Sequence, residues 1–175
     1  MQEKTNISKK TLFLVEAGII AAVYVAMTYF SSFLGMAYGP IQFRISEVLN
    51  ILPVFTPAAI PGLTIGCILG NIGSPMGIVD ILLGSLATLL SAVTTYWFRN
   101  IKVKNFPILS SFMPVIFNAI IIGAEITFFA NEANKGKLFF INAGQIALSE
   151  FVMCVVGGFF FYFAILKLNI FKKSE

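Results

Sequence analysis

The sequence predicts an all-α membrane protein: six transmembrane helices in one bundle, with both termini cytoplasmic. Three observations carry that expectation. Hydrophobic residues fill 58% of the 175 positions and charged residues 11%, with no histidine. Runs reaching the roughly 20 apolar residues that cross a bilayer core recur at Leu12 to Leu34, Met76 to Phe98 and Ile108 to Ala130, with a longer one at Leu138 to Leu168. Basic residues gather in separated segments, the mark of cytoplasmic loops.

Residues 1 to 10 form a short polar tail whose lysines resemble those of a signal peptide. The following apolar region is too long for one, so helix 1 is expected to be retained, to about Phe33. An outer loop, Ser31 to Phe43, holds Gly35 and Gly39-Pro40. From Ile45 to Gly73 the apolar pattern is broken by Pro53, Pro57 and Pro61-Gly62. It reads either as one broken span or as two short helices turning at Pro57 to Gly62. Charge decides between them. The hairpin puts Lys4, Lys9, Lys10, Arg99, Lys102, Lys104, Lys167, Lys172 and Lys173 on one side and only Arg44, Lys135 and Lys137 opposite, which is the asymmetry expected of a cytoplasmic face. Helix 2 then runs from near Arg44 to about Pro57, and helix 3 ends near Asn71. Each is ~18 Å long at the α-helical rise, short of a ~30 Å core, so both belong behind other helices or beside a cavity. Helix 4 runs from near Gly77 to Tyr96-Trp97, and helices 5 and 6 flank a polar outer loop, Asn131 to Lys137. The chain reads as a single membrane domain, 1–175.

Five carboxylates lie in or against these apolar runs: Glu16, Glu47, Asp80, Glu125 and Glu150. An ionised group at membrane depth costs at least about 2.5 kcal/mol, so such residues face a protein interior or a polar cavity. Sorted by depth, Gln42, Arg44 and Glu47 open helix 2, Asn71 closes helix 3 and Asp80 opens helix 4. Asn118 and Glu125 lie on helix 5, and Asn142 and Gln145 share a side of helix 6. Together they form a candidate ligand pocket in the outer half of the bundle. Structural alternatives stand beside this. Arg44 and Glu47, three apart, can pair with each other; Asp80 can cap a helix; Glu125 can reach the outer loop. Glu16 reads as an interfacial ion pair with nearby lysines. Glu150 is either functional or satisfied by Asn118 or a serine. On helix 1, Ala17 and Ala21, with Gly18, Ala22 and Ala26, make a smooth face for close helix contact, inside the bundle or against a partner.

Several functions are excluded. There is no phosphate-binding G-x-x-x-x-G-K-[ST] loop, so the chain does not itself hydrolyse ATP. Without histidine there is no imidazole metal site or histidine-activated nucleophile. Cys67 and Cys154 fall in apolar spans and read as inert small hydrophobes rather than a disulfide or metal site. No cofactor is expected. The net charge of +4 reports topology, not nucleic-acid binding.

The stretch Tyr38-Gly39-Pro40-Ile41-Gln42-Phe43-Arg44-Ile45-Ser46-Glu47, followed by Pro61-Gly62-Leu63-Thr64-Ile65-Gly66-Cys67, Gly70-Asn71, and Asp80 with Gly84, resembles the queuosine-precursor transporter family. These are substrate-binding S components of energy-coupling factor (ECF) transporters. The resemblance covers nearly the whole chain, and Gln42-Phe43-Arg44-x-Ser46-Glu47 is its most specific part. It implies a six-helix S component in a bacterial plasma membrane, not an enzyme, with an outward site under the loop between helices 1 and 2. It also implies partnership with a transmembrane coupling subunit and two cytoplasmic ATPases, with the helix 1 small-residue face resembling the docking pattern. The ligand would be a deazaguanine, such as the aminomethyl queuosine precursor or queuine. Physically, one carboxylate, Glu125 or Asp80, suits the guanine edge and a second the amine. Glu47 is expected to be held by Arg44, with Asn142 and Gln145 adding hydrogen bonds and Phe43 or Tyr38 stacking on the ring. Competing readings are an S component for another vitamin or heterocycle, a proton-coupled secondary transporter, and an intramembrane enzyme using paired carboxylates.

Overall fold

The computed structural model describes residues 8–39 and 41–171; Lys4, Pro40, Lys172 and Lys173, used in the expectations above, lie outside them. The described residues are helical and contain no strand, only an isolated bridge between Val103 and Phe106. Helix α1 spans Lys9–Phe33, α2 Ala59–Gly70, α3 Ile78–Trp97, α4 Ile108–Phe129, α5 Lys135–Glu150 and α6 Gly158–Leu168. A π-helical turn, Phe151–Gly157, joins α5 to α6, so Lys135–Leu168 runs as one rod. Four helices are long and apolar enough to cross a membrane: α1, α3, α4 and the α5–α6 rod.

The expected helix 2 is present but is not an α-helix. Ile45–Val54 is a ten-residue 3-10 helix, well beyond the three or four residues at which such runs usually stop. Burial explains its persistence. Ser46, Glu47, Leu49, Asn50, Ile51, Leu52 and Pro53 are all buried, and the segment packs against α1, α2, α3, α4, the π-turn and α6. It is the pillar of the bundle, and surrounding packing rather than its own hydrogen-bond geometry holds it. With α2 it makes the short pair that the prolines mark, turning at Phe55 to Ala58.

The seam between α1 and α2 is made by glycines. A Cβ on Gly62 would sit 2.8 Å from the Ala17 carbonyl oxygen, one on Gly66 2.8 Å from Tyr24 Cβ, and one on Gly70 3.1 Å from Thr28 Cγ2. This is small-residue packing of the kind that drives helix association where lipid supplies no hydrophobic force. It splits the expected partner face of α1. Ala17 and Ala21 are buried in the bundle, whereas Gly18, Ala22 and Ala26 point outward; the first two are therefore corrected to intramolecular packing residues.

Polar clamps bind the remaining helices. Thr95 Oγ1 donates to the Ser110 carbonyl and Ser110 Oγ to the Thr95 carbonyl, both at 3.0 Å, across α3 and α4. Lys135 Nζ donates to the carbonyls of Thr127, Phe128 and Ala130 at the end of α4, where orphan carbonyls and the helix dipole favour a cation. The exterior is apolar: Leu14, Phe33, Phe128, Phe160 and Leu168 are exposed while Thr28, Ser31, Ser46, Asn50 and Thr95 are buried. That inversion suits a lipid surround. At one end of the bundle Phe55 stacks on Phe171 at 5.6 Å and Phe106 meets Tyr162 at 5.5 Å. The loop after α1 and the start of α3 close the other end.

Candidate functional site

The site begins at the loop after α1. Gly35 and Gly39 take the positive φ values of +72° and +120° that residues with a Cβ rarely adopt, and the chain folds back so that Phe43 N–H reaches the Met36 carbonyl at 2.9 Å. Ser31 Oγ then accepts from Ile45 N–H at 2.9 Å, and Tyr38 donates to the Gly70 carbonyl at 2.8 Å. Burial raises the Tyr38 pKa, so its hydroxyl stays protonated and remains a donor.

Arg44 is the hub. Its Nε donates to the Ala37 carbonyl at 2.7 Å, one terminal nitrogen to Asn71 Oδ1 at 2.9 Å, and the other lies 3.6 Å from Asp80 Oδ2. Asn71 in turn donates to the Asp80 carbonyl at 3.1 Å. Gly84 makes room for it, since a Cβ there would lie 2.5 Å from Asn71 Nδ2. Asp80, in the first turn of α3, gains from the helix N-terminus but makes no cap bond; its partner is Arg44. The expected Arg44–Glu47 pair is not formed. Arg44 has extended backbone, φ −81° and ψ 111°, at the 3-10 N-cap, so the helical three-apart rule does not govern where its side chain points. Glu47, 4% exposed, instead accepts from Tyr24 at 2.5 Å and from Asn50 Nδ2.

Two adjoining cavities sit on this frame. The outer, about 300 Å³, is lined by Tyr38, Gly39, Gln42, Ser74 to Met76, Asp80, Ile122, Glu125 and Ile126. Glu125 is 3% exposed, and neither carboxylate oxygen has a hydrogen-bond partner among the described residues. It does not reach out past the loop. The inner chamber, about 10 Å³, shares Gln42 and Ile122 and adds Arg44, Glu47, Cys67, Thr88, Asn118 and Glu150, among others. One oxygen each of Glu47 and Glu150 and the Cys154 sulfur lie within 4.8 Å of one another. Two ionised carboxylates at that separation repel by about 3.5 kcal/mol at an effective dielectric of 20. Cys154 donates to Glu150 at 3.2 Å. Among the described residues the buried carboxylates are Glu47, Asp80, Glu125 and Glu150, against Arg44 as the buried cation.

The expected residues are thus sorted. Gln42, Asp80 and Glu125 line the outer cavity, and Gln42, Arg44, Glu47 and Asn118 the inner. Asn71, Asn142 and Gln145 line neither. Asn71 positions Arg44, and Asn142 donates to Thr127 Oγ1 at 3.0 Å, joining α5 to α4. Tyr38 lines the outer cavity and Phe43 does not. Glu16 makes no ion pair within 4 Å among the described residues. Glu150, left unassigned from sequence, is a wall of the inner chamber; its signal was a carboxylate in an apolar run.

A family model described as QueT transporter matches residues 14–167. The chain belongs to the QueT transporter family. A relative in Lactococcus lactis subsp. cremoris, named Queuosine precursor transporter QueT, is 31% identical over 160 residues, covering 86% of this chain and 90% of its own. No solved structure matches the chain.

Proposed function

We propose that this QueT family member captures a queuosine precursor outside a bacterial cell and is the substrate-binding S component of an ATP-driven ECF importer. It spans the plasma membrane six times with both termini cytoplasmic. The observation that carries the binding reading is the unpartnered, buried Glu125 carboxylate on a cavity of about 300 Å³ that also holds Tyr38, Gln42 and Asp80. An apolar cavity with a few placed polar groups suits a small ligand. A guanine-like edge offers adjacent N–H donors, which one carboxylate accepts in bidentate fashion, and Tyr38 offers a ring face. The family membership and the relative's name support a deazaguanine as that ligand.

Arg99, Lys102 and Lys104 follow α3, and Lys102 Nζ lies 5.8 Å from the Tyr162 ring at the aromatic end of the bundle, which supports a cytoplasmic assignment for that end. The cavity then opens outside. No nucleotide-binding motif is present, so energy comes from separate ATPases through a coupling subunit, with the outward Gly18, Ala22 and Ala26 of α1 as its contact.

The test joins binding to uptake. Calorimetry on detergent-purified protein is expected to show saturable binding of 7-aminomethyl-7-deazaguanine, and labelled ligand is expected to enter cells only when the ECF ATPases are present. Absent binding would remove the ligand; uptake persisting without the ATPases would remove the ECF assignment. The proximity of Glu47 and Glu150 favours a second reading, proton-coupled transport, in which an uncoupler stops uptake while ATP is maintained.

A further inference from the structure

We propose that the inner chamber is the subsite for a primary ammonium group, seated between Glu47 and Glu150, and that Glu150 sets the preference for charged over uncharged ligands. This rests on the reading of the adjoining outer cavity as a ligand site. Nothing in that reading assigns Glu150 a role.

Charge is the first argument. Arg44 stands in the chamber wall, but its polar contacts go to Asp80, Asn71 and the Ala37 carbonyl, so among the described residues Glu47 and Glu150 have no salt-bridge partner of their own. Both are more than nine-tenths buried, where unpaired carboxylates are strongly disfavoured. Glu47 has two neutral donors, Tyr24 and Asn50, while Glu150 has the Asn118 amide beside it and the Cys154 thiol at 3.2 Å, a weak donor that also reaches the Glu47 carbonyl at 3.3 Å.

Size and shape agree. A space of about 10 Å³ is at the lower limit for one water, so it takes an ammonium head alone, with the methylene that carries it remaining on the outer-cavity side. Oxygens of the two glutamates lie within 4.8 Å of each other. A nitrogen about 2.8 Å from each, the ordinary charge-assisted distance, bridges any gap up to roughly twice that length. Asn118 and Thr88 on the same wall offer neutral oxygens for a further N–H.

The observation that points to a ligand rather than to an isolated acidic cluster is next door. Glu125, 3% exposed and with both oxygens unpartnered, faces the outer cavity, which shares the Gln42 and Ile122 walls with the chamber. On an aminomethyl deazaguanine the amine and the guanine edge lie on opposite sides of the ring. A ligand whose edge meets Glu125 therefore turns its amine away from that carboxylate and has a second carboxylate set to receive it. The π-helical turn begins at the residue after Glu150, a rare distortion that often accompanies functional sites.

The test uses purified wild type, Glu150→Gln and Glu150→Asp in detergent. Calorimetry compares 7-aminomethyl-7-deazaguanine with 7-methyl-7-deazaguanine, which lacks only the amine. Wild type is expected to prefer the amine by roughly tenfold or more, the scale of a charge-assisted bond. Glu150→Gln should reduce that preference below about threefold, the amine ligand losing more affinity than the 7-methyl one. Equal losses for both ligands, or no loss for either, would overturn the proposal. If Glu150→Gln does not fold, Glu150→Asp carries the test, since withdrawing the charge by one methylene should lower the preference and an unaltered preference refutes it. A separate arm needs no deazaguanine: methylammonium chloride, against potassium chloride at equal ionic strength, should raise the melting temperature of wild type and not of Glu150→Gln. If neither deazaguanine binds but this shift appears, the queuosine-precursor reading fails and the ammonium subsite stands. No methylammonium shift with deazaguanine binding indifferent to the amine, or a shift produced by zinc chloride alone, overturns the subsite.

Discussion

Glu125 and Glu47 are both buried acids, yet their surroundings assign them different work. Glu47 has its hydrogen bonds supplied by the protein, from Tyr24 and Asn50, whereas Glu125 has none. Glu125→Gln is therefore expected to weaken 7-aminomethyl-7-deazaguanine binding by about 1.5–3 kcal/mol, the worth of a charge-assisted bond. The unliganded melting temperature should hold or rise, because a buried unpaired charge is removed. Calorimetry and thermal unfolding on one preparation check both. A falling melting temperature with unchanged affinity would mark Glu125 as structural. At this scale the sequence marks the carboxylates that are buried, Glu16 apart, but not whom they meet. The Arg44–Glu47 pair rests on a helical interval that does not apply, because Arg44 precedes the helix in extended backbone. Asn142 and Gln145 do lie on one helix, but Asn142 is turned to Thr127 and neither lines a cavity.

Among the elements, the long apolar helices are plain from run length alone; the short pair is present, but it turns at Phe55 to Ala58 rather than at Pro57 to Gly62, because Pro61 sits in the first turn of α2, where its missing N–H costs nothing. The conformations of the short segments were hidden. Whether Ile45–Val54 closes its turns at three residues or four is settled by what presses on it from several sides, which no local pattern records. The α1–α2 seam is half visible in sequence: the small residues of α1 suggest a close contact, while the four-residue spacing of Gly62, Gly66 and Gly70 on α2 carries the close approach. Gly66→Ala sets a Cβ 2.8 Å from Tyr24 Cβ, and overpacking of this kind costs about 1–3 kcal/mol. A lower thermal midpoint in detergent, with weaker ligand binding because Tyr24 supports Glu47, is the expected result. Gly18→Ala, where a Cβ meets nothing within 4 Å, should leave both unchanged and serves as the control.

For the molecule as a whole, an apolar exterior surrounds a polar centre, and hydropathy reports the first far more openly than the second. Because Cys67 and Cys154 are buried, introduced thiols should react without background. Lys102→Cys, in the loop after α3, is expected to react with a membrane-impermeant maleimide only in inverted vesicles. Glu132→Cys, between α4 and α5, should react only in intact cells or right-side-out vesicles. The reverse pattern would turn the protein over and place its cavity toward the cytosol.

The glycine seam also sets which parts can shift. Tyr24 lies against Gly66 on one flank and donates its hydroxyl proton to Glu47 on the other, so α1 cannot slide along α2 without tearing the floor of the chamber. Those two helices and the 3-10 pillar form an anvil. The Tyr38 bond to the Gly70 carbonyl ties the loop after α1 to that anvil as well, so the outer cavity lies between it and the α4 wall of Ile122, Glu125 and Ile126.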